Sequence, residues 1–173
     1  PIARTDIAEE TEITPATVTM NVTTLISEGF VKELGEVSTD EGSSGRKRVL
    51  IDIIPGRAYS IGLEFTQKAL VICITDLKGR ICFQHAEPFN EELAGRITDA
   101  IIDGVKGLVA ESGISWDEIV GIGAAVPGHM NGSASSLVTN RKTWQNFDPK
   151  RIEKELPLPI VYENNARCMA LGE

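Results

Sequence analysis

Cysteine, histidine, positive charge and long apolar runs are all scarce in this chain. Its 173 residues include three cysteines and two histidines. Cys73, Cys82 and Cys168 have neither metal-ligand spacing nor the pattern of a disulfide framework. Cys73 and Cys82 flank the turn at Asp76 to Gly79 and are expected to face each other across a hairpin, as the small apolar side chains of a reducing compartment. His129 falls in a polar loop and Cys168 inside a helical pattern, neither with partners at ligand spacing. No apolar stretch approaches the roughly 18 residues of a membrane span, and the first residues lack the basic start and apolar core of a signal peptide. A cytoplasmic protein without a membrane partner is the expectation. Lys and Arg total 17 against 25 Asp and Glu, a formal net charge of −8, so affinity for nucleic acid would have to come from a local cluster.

What remains is an ordinary globular composition, 42% hydrophobic and 24% charged, enough for one good core and a small second domain. The chain opens on Pro1 and stops inside a helical pattern with no capping signal, and so reads as a piece of a longer protein. Two zones, residues 1–55 and 56–173, meet near Pro55 and Gly56. In the first, Thr5 is placed as the cap of a short helix over Asp6 to Thr11. Thr14 caps a second helix running to about Glu28, because Pro15 behind it occupies the position where a missing N–H costs nothing. Gly29 supplies the left-handed stop. Val18, Val22, Leu25 and Ile26 repeat at helical spacing and mark the buried stripe; Ala16, Met20, Thr23, Thr24 and Ser27 lie opposite. A strand from Phe30, a Gly/Ser-rich tip with Arg46, Lys47 and Arg48, and a strand from Val49 to Ile53 follow.

Helix, turn, capped helix and a hairpin with a basic tip is the order of a winged helix-turn-helix, in which the second helix enters the major groove and the hairpin tip touches phosphates or the minor groove. On this reading Thr14, Ala16, Thr17 and Met20 face DNA together with Arg46, Lys47 and Arg48, and the short side chains suit thymine methyls. The plainer reading is a scaffold or dimerisation module. Charge favours it, since residues 1–55 hold five Lys/Arg and ten Asp/Glu and the second helix has no cation at all.

The second zone opens with three strands, Tyr59 to Glu64, Ala69 to Thr75 and Arg80 to Glu87, read as a meander. Asn90 caps a long amphipathic helix with Leu93, Ile97, Ile101, Val105, Leu108 and Val109 on one face, ended by Gly113. Ile119 to Val126 is a buried strand that breaks at Pro127 and Gly128. A polar loop with Asn140 and Trp144 leads to a short helix capped by Asp148, then a strand from Ile160 to Tyr162 and a last helix from about Asn164. This order of elements predicts an α/β layer with a mixed sheet, of ribonuclease-H-like or actin-like type.

Thr14 to Val18, Leu25 to Val31, Gly45 to Arg48, Gly123 to Gly128, Asn140 four residues before Trp144, and Asn164 to Glu173 stand together in an order and spacing that resembles the repressor, open reading frame, kinase (ROK) family. The likeness covers essentially the whole chain. It implies a winged helix-turn-helix, its first helix lying upstream of Pro1, followed by the N-terminal lobe of an actin-like sugar-kinase fold. Within the family that combination marks sugar-responsive repressors, such as those of xylose and N-acetylglucosamine genes.

In the family's kinases the first strand carries an Asp and then a Gly-rich turn whose N–H groups meet the ATP phosphates. Here Glu64 stands at the carboxylate position, but Phe65, Thr66 and Gln67 replace the glycines, and Phe65 also reads as a core residue of the strand. The kinases also place an Asn-Asp pair, with the Asp as general base, where this chain has Asn164 and Asn165. An amide cannot take that proton at neutral pH. Binding can survive such a loss, so the likeness implies sugar contacts from Pro127, Gly128, Asn140, Asn164 and Asn165, while Asn164 read by itself is a helix cap. The family's zinc site and its remaining sugar contacts fall beyond residue 173, so no cofactor is expected here; zinc would belong to a C-terminal part. The expectation is a non-catalytic regulator, most simply a repressor of carbohydrate-utilisation genes, that binds operator DNA as a homodimer or higher oligomer and answers to a sugar or sugar phosphate. An active sugar kinase with an appended DNA-binding domain, and a regulator governed by a protein partner, are the alternatives.

Overall fold

Asp6 determines where the first helix begins. Its carboxylate accepts the Ala3 N–H at 3.3 Å, making Ala3 the N-cap of α1 (Arg4–Thr11). The expected Thr5 cap is corrected by that bond, which draws two further residues into the helix. Just before it, Ile2–Ala3 forms a strand that the sequence reading did not anticipate, β1. The computed structural model describes residues 1–37, 48–130, 137–138 and 144–172, and the chain divides into two compact units, Pro1–Arg57 and Ala58–Glu173.

In the first unit, α2 (Pro15–Ser27) starts as expected: the Thr14 hydroxyl accepts the Thr17 N–H at 3.3 Å and Pro15 fills the first helical position. It ends with Gly29 at φ +79°, where a side chain would be strained. Strands β2 (Val31–Val37) and β3 (Arg48–Ile53) form the hairpin, with a bulge between Glu33 and Gly35. β1 adds to the far edge of β3, giving an antiparallel sheet in the order β1-β3-β2. Val18, Val22 and Ile51 are the buried centre, with Ile2, Ile7, Ile26 and Val31 packed around them. Leu25, expected in the buried stripe, remains 39% exposed at the rim. Arg57 closes the unit by donating from Nε to the Glu28 carbonyl at 2.9 Å, its guanidinium over the Phe30 ring.

The second unit begins with the meander β4 (Tyr59–Phe65), β5 (Ala69–Asp76) and β6 (Ile81–Pro88). Cys73 pairs with Gln84 and not with Cys82, because the turn sets Asp76 against Arg80 and a bulge between Ile74 and Thr75 shifts the register by one residue more; the expected facing of the two thiols is corrected. The long helix read from Asn90 is two helices, α3 (Glu91–Gly95) and α4 (Ile97–Ser112). They break at Arg96, beside a Gly95 carbonyl that accepts from the Asn146 side chain at 3.0 Å. β7 (Ile119–Val126) follows, then the short pair β8 (His129–Met130) and β9 (Leu137–Val138), α5 (Pro149–Glu155), β10 (Ile160–Asn164) and α6 (Asn165–Gly172).

The five-stranded sheet runs β10-β7-β4-β5-β6. β4, β7 and β10 are mutually parallel, while β5 and β6 continue antiparallel. Alternation in β4 and β5 sends Ile61, Leu63, Phe65, Leu70, Ile72 and Ile74 to one face, where they meet Ile97, Ile101 and Val105 of α4; each such burial contributes about 1.5–3 kcal/mol. The helix lies close enough that a Cβ on Gly104 would come within 2.6 Å of Ile72 Cδ1.

Candidate functional site

Three parallel strands ending side by side define the first candidate region, because ligands of α/β sheets gather at the carboxyl ends of such strands. The register aligns Glu64 of β4, Ala125 of β7 and Glu163 of β10, with Asn164 beside Val126 one residue further on. Glu64 and Glu163 therefore share a sheet face, about 10 Å apart at two strand spacings. Glu163 was not singled out from the sequence. Its signal was only its place one residue before Asn164, and it engages Arg167 at 3.1 Å.

Pro127 and Gly128 leave β7 where Asn164 leaves β10, and the two segments are bound together. Asn164 Nδ2 donates to the Gly128 carbonyl at 2.8 Å, while Oδ1 accepts the Ala166 N–H at 3.0 Å and the Arg167 N–H at 3.4 Å. Asn164 is thus a helix cap and a cross-link at once. Asn165 opens α6 beside it, partly exposed. Pro127, Gly128, Asn164 and Asn165 are brought together; Asn140 lies outside the described residues. Among the described residues, no three His, Cys, Asp or Glu side chains cluster in a way that could hold a metal ion.

The turn after β4 is closed from within. The Thr66 hydroxyl accepts the Lys68 N–H at 3.1 Å and the Ala69 N–H at 3.4 Å, and Thr66 N–H donates to the Ala69 carbonyl at 2.9 Å. Of the turn's backbone donors, the N–H groups of Thr66, Lys68 and Ala69 are engaged in this way. Beneath the turn Phe65 is fully buried and meets Trp144 edge-on and Phe147 at centroid distances of 4.9 Å. Trp144 is itself buried, and its indole N–H has no hydrogen-bond partner among the described residues. Tyr162 packs on Phe147, and burial pushes its phenol pKa up.

The second candidate region belongs to the first unit. Ala16, Thr17 and Met20 are exposed on α2, Met20 by 64%, and Thr14 caps its start. Arg48 lies at the beginning of β3, paired with Asp6; Arg46 and Lys47 lie outside the described residues. Arg4 stands beside this surface with Nη2 on Glu33 Oε1 at 2.7 Å.

The mixed α/β fold of the second unit agrees with the family suggested by the motifs. The ROK family model matches residues 60–173, and the chain belongs to the ROK family. It is 29% identical to the xylose repressor of Bacillus subtilis over 177 aligned residues, all of this chain and 44% of that protein. The chain thus spans less than half the length of the curated relative it matches. A crystal structure of a ROK family transcriptional regulator, a homologue of the Escherichia coli MLC protein, superposes with a TM-score of 0.68 at 20% identity, covering 100% of this chain and 44% of that one. The ROK hexokinase of Thermus thermophilus gives 0.52 at 23% identity over 66% of this chain and 38% of its own. The mixed α/β fold is therefore shared by regulators and sugar kinases of the family. No helix among the described residues is long and apolar enough to cross a membrane.

Proposed function

We propose that this chain is the DNA-binding unit and the first sugar-binding lobe of a transcriptional regulator of carbohydrate-utilisation genes, acting as a dimeric repressor without kinase activity. The first unit is a winged helix-turn-helix, and the second is the N-terminal lobe of an actin-like fold. One observation carries the reading. Likeness to the xylose repressor and to the ROK regulator runs through both units, whereas likeness to the hexokinase covers two thirds of the chain.

In this reading α2 lies in the major groove, with Thr14, Ala16, Thr17 and Met20 toward the duplex, and Arg46, Lys47 and Arg48 contact the DNA as well. Pro127, Gly128, Asn140, Asn164 and Asn165 contact a sugar or sugar phosphate at the strand ends. An effector that prefers one arrangement of the full-length protein changes operator affinity by the ratio of its affinities for the two arrangements. The absence of phosphotransfer is supported by the amide at Asn165, which cannot act as base, and by the turn after β4, where the Thr66, Lys68 and Ala69 N–H groups are already bonded.

The test uses the full-length protein. Binding-site selection is expected to yield a two-fold symmetric duplex whose affinity changes with one sugar of a panel, and calorimetry to give sugar binding without ADP release when ATP is added. Measurable turnover would favour the kinase instead. DNA release by a protein partner, with no sugar effective, would favour the partner-controlled regulator.

A further inference from the structure

Between the start of α1, one flank of α2 and the start of β3 lies a cleft of about 290 Å³ whose lining includes Arg4, Thr5, Thr19 and Arg48. We propose that this cleft binds a backbone phosphate of duplex DNA through Arg4 and Arg48, and that Glu33 and Asp6 are stand-in anions which the phosphate displaces. The proposal rests on the reading of the first unit as a DNA-binding module, and extends its contact surface beyond the hairpin tip.

Two guanidinium groups from different elements converge on the cleft, in a unit whose acidic residues outnumber its basic ones. Both are held by carboxylates: Arg4 by Glu33 at 2.7 Å, and Arg48 by Asp6. Glu33 is half exposed, and an ion pair of that kind is weak, so exchange for another anion is easy. A phosphodiester suits the exchange, since its two free oxygens match the planar fork of an arginine. Arg4 has that fork half used. Its Nη2 is on Glu33, whereas its Nε is buried with no hydrogen-bond partner.

Position points the same way. Helical spacing puts Pro15 and Thr19 on a flank of α2 between the buried stripe of Val18 and Val22 and the exposed face of Ala16 and Met20. A phosphate seated beside Thr19 leaves that exposed face free to meet base edges.

The experiment measures binding of the full-length protein to its selected operator and to a random duplex across a salt series. Arg4→Ala and Arg48→Ala are each expected to weaken both duplexes about tenfold and to lower the slope of log affinity against log salt by about one. Glu33→Gln, nearly isosteric and thus safe for folding, is expected to tighten both several-fold. Arginine variants that melt like wild type yet keep its affinity and slope, or a Glu33→Gln protein that binds more weakly, would overturn the proposal alone. A wild-type protein that binds no duplex of any sequence overturns the DNA-binding reading and this proposal with it.

Discussion

Asn164 joins the ends of two strands: its amide nitrogen donates to the Gly128 carbonyl at 2.8 Å while its oxygen caps α6 through the Ala166 N–H at 3.0 Å. Asn164→Asp keeps the cap and turns a donor into a repelling oxygen at Gly128, whereas Asn164→Ala removes both bonds. We expect the alanine variant to lose about 1–3 kcal/mol of stability and the aspartate variant to retain the helix while losing the Pro127–Gly128 geometry. Thermal melts with calorimetric sugar titrations check both; equal sugar affinity in all three proteins would remove this junction from the site.

In the proposed reading Asn165→Asp supplies a carboxylate where the family likeness implies a general base, and it leaves Asn164 in place. Because Phe65, Thr66 and Gln67 still occupy the phosphate turn, no ADP release is expected from this variant with any sugar in a coupled assay. Turnover at a kinase-like rate would show that the turn is no obstacle and that a single amide silences the enzyme.

Thr98 is 4% exposed, and its hydroxyl is shared between two loop groups, donating to the Asn146 carbonyl at 2.6 Å and accepting the Asp148 N–H at 2.8 Å. Thr98→Val conserves shape but strands both backbone groups, at an expected cost of about 1–3 kcal/mol in a denaturant melt. Thr98→Ser should recover most of it. Near-wild-type stability of the valine variant would mean that water replaces the hydroxyl.

Burial of Asp76 pushes its carboxyl pKa up, but N–H bonds from Arg80 and Lys78 and the Arg80 guanidinium prevail and hold it below the usual carboxylate range. With the folded value below the unfolded one, the contribution is fully present above about pH 4 and is lost as pH falls through the folded value. Asp76→Asn should therefore be less stable than wild type at neutral pH, with the gap closing in strongly acidic buffer. A gap independent of pH would assign the loss to turn geometry.

Much of this fold is legible in the residues. Thr14-Pro15, Asn90 and Asp148 each place a helix start, since caps are local chemistry, and alternation at Ile61, Leu63 and Phe65 shows which face of β4 is buried. Other features needed coordinates. β1 is two residues long and exists only because β3 offers it an edge, which no periodicity can announce. The break at Arg96 depends on Asn146, some fifty residues away. The bulge that separates Cys73 from Cys82 is likewise a property of the pairing. In the strand-end region the Asn-Asn pair was visible as a motif, whereas the tie to Gly128 and the self-bonded Thr66 turn depend on partners met only after folding. Arg4 was visible as a cation but not as half of a cleft.

One consequence of α2 concerns what its surface offers. Thr19, Thr23 and Thr24 donate their hydroxyl hydrogens backward to the carbonyls of Pro15, Thr19 and Met20, at 2.8, 2.8 and 3.2 Å, and Ser27 does the same to Thr24 at 2.7 Å. Apart from the exposed Asn21, a helix that looks rich in donors on paper is therefore nearly mute as a donor. What it turns outward is a row of methyl groups, the Met20 thioether and leftover lone pairs, a texture that reads grease and shape more readily than hydrogen-bond code.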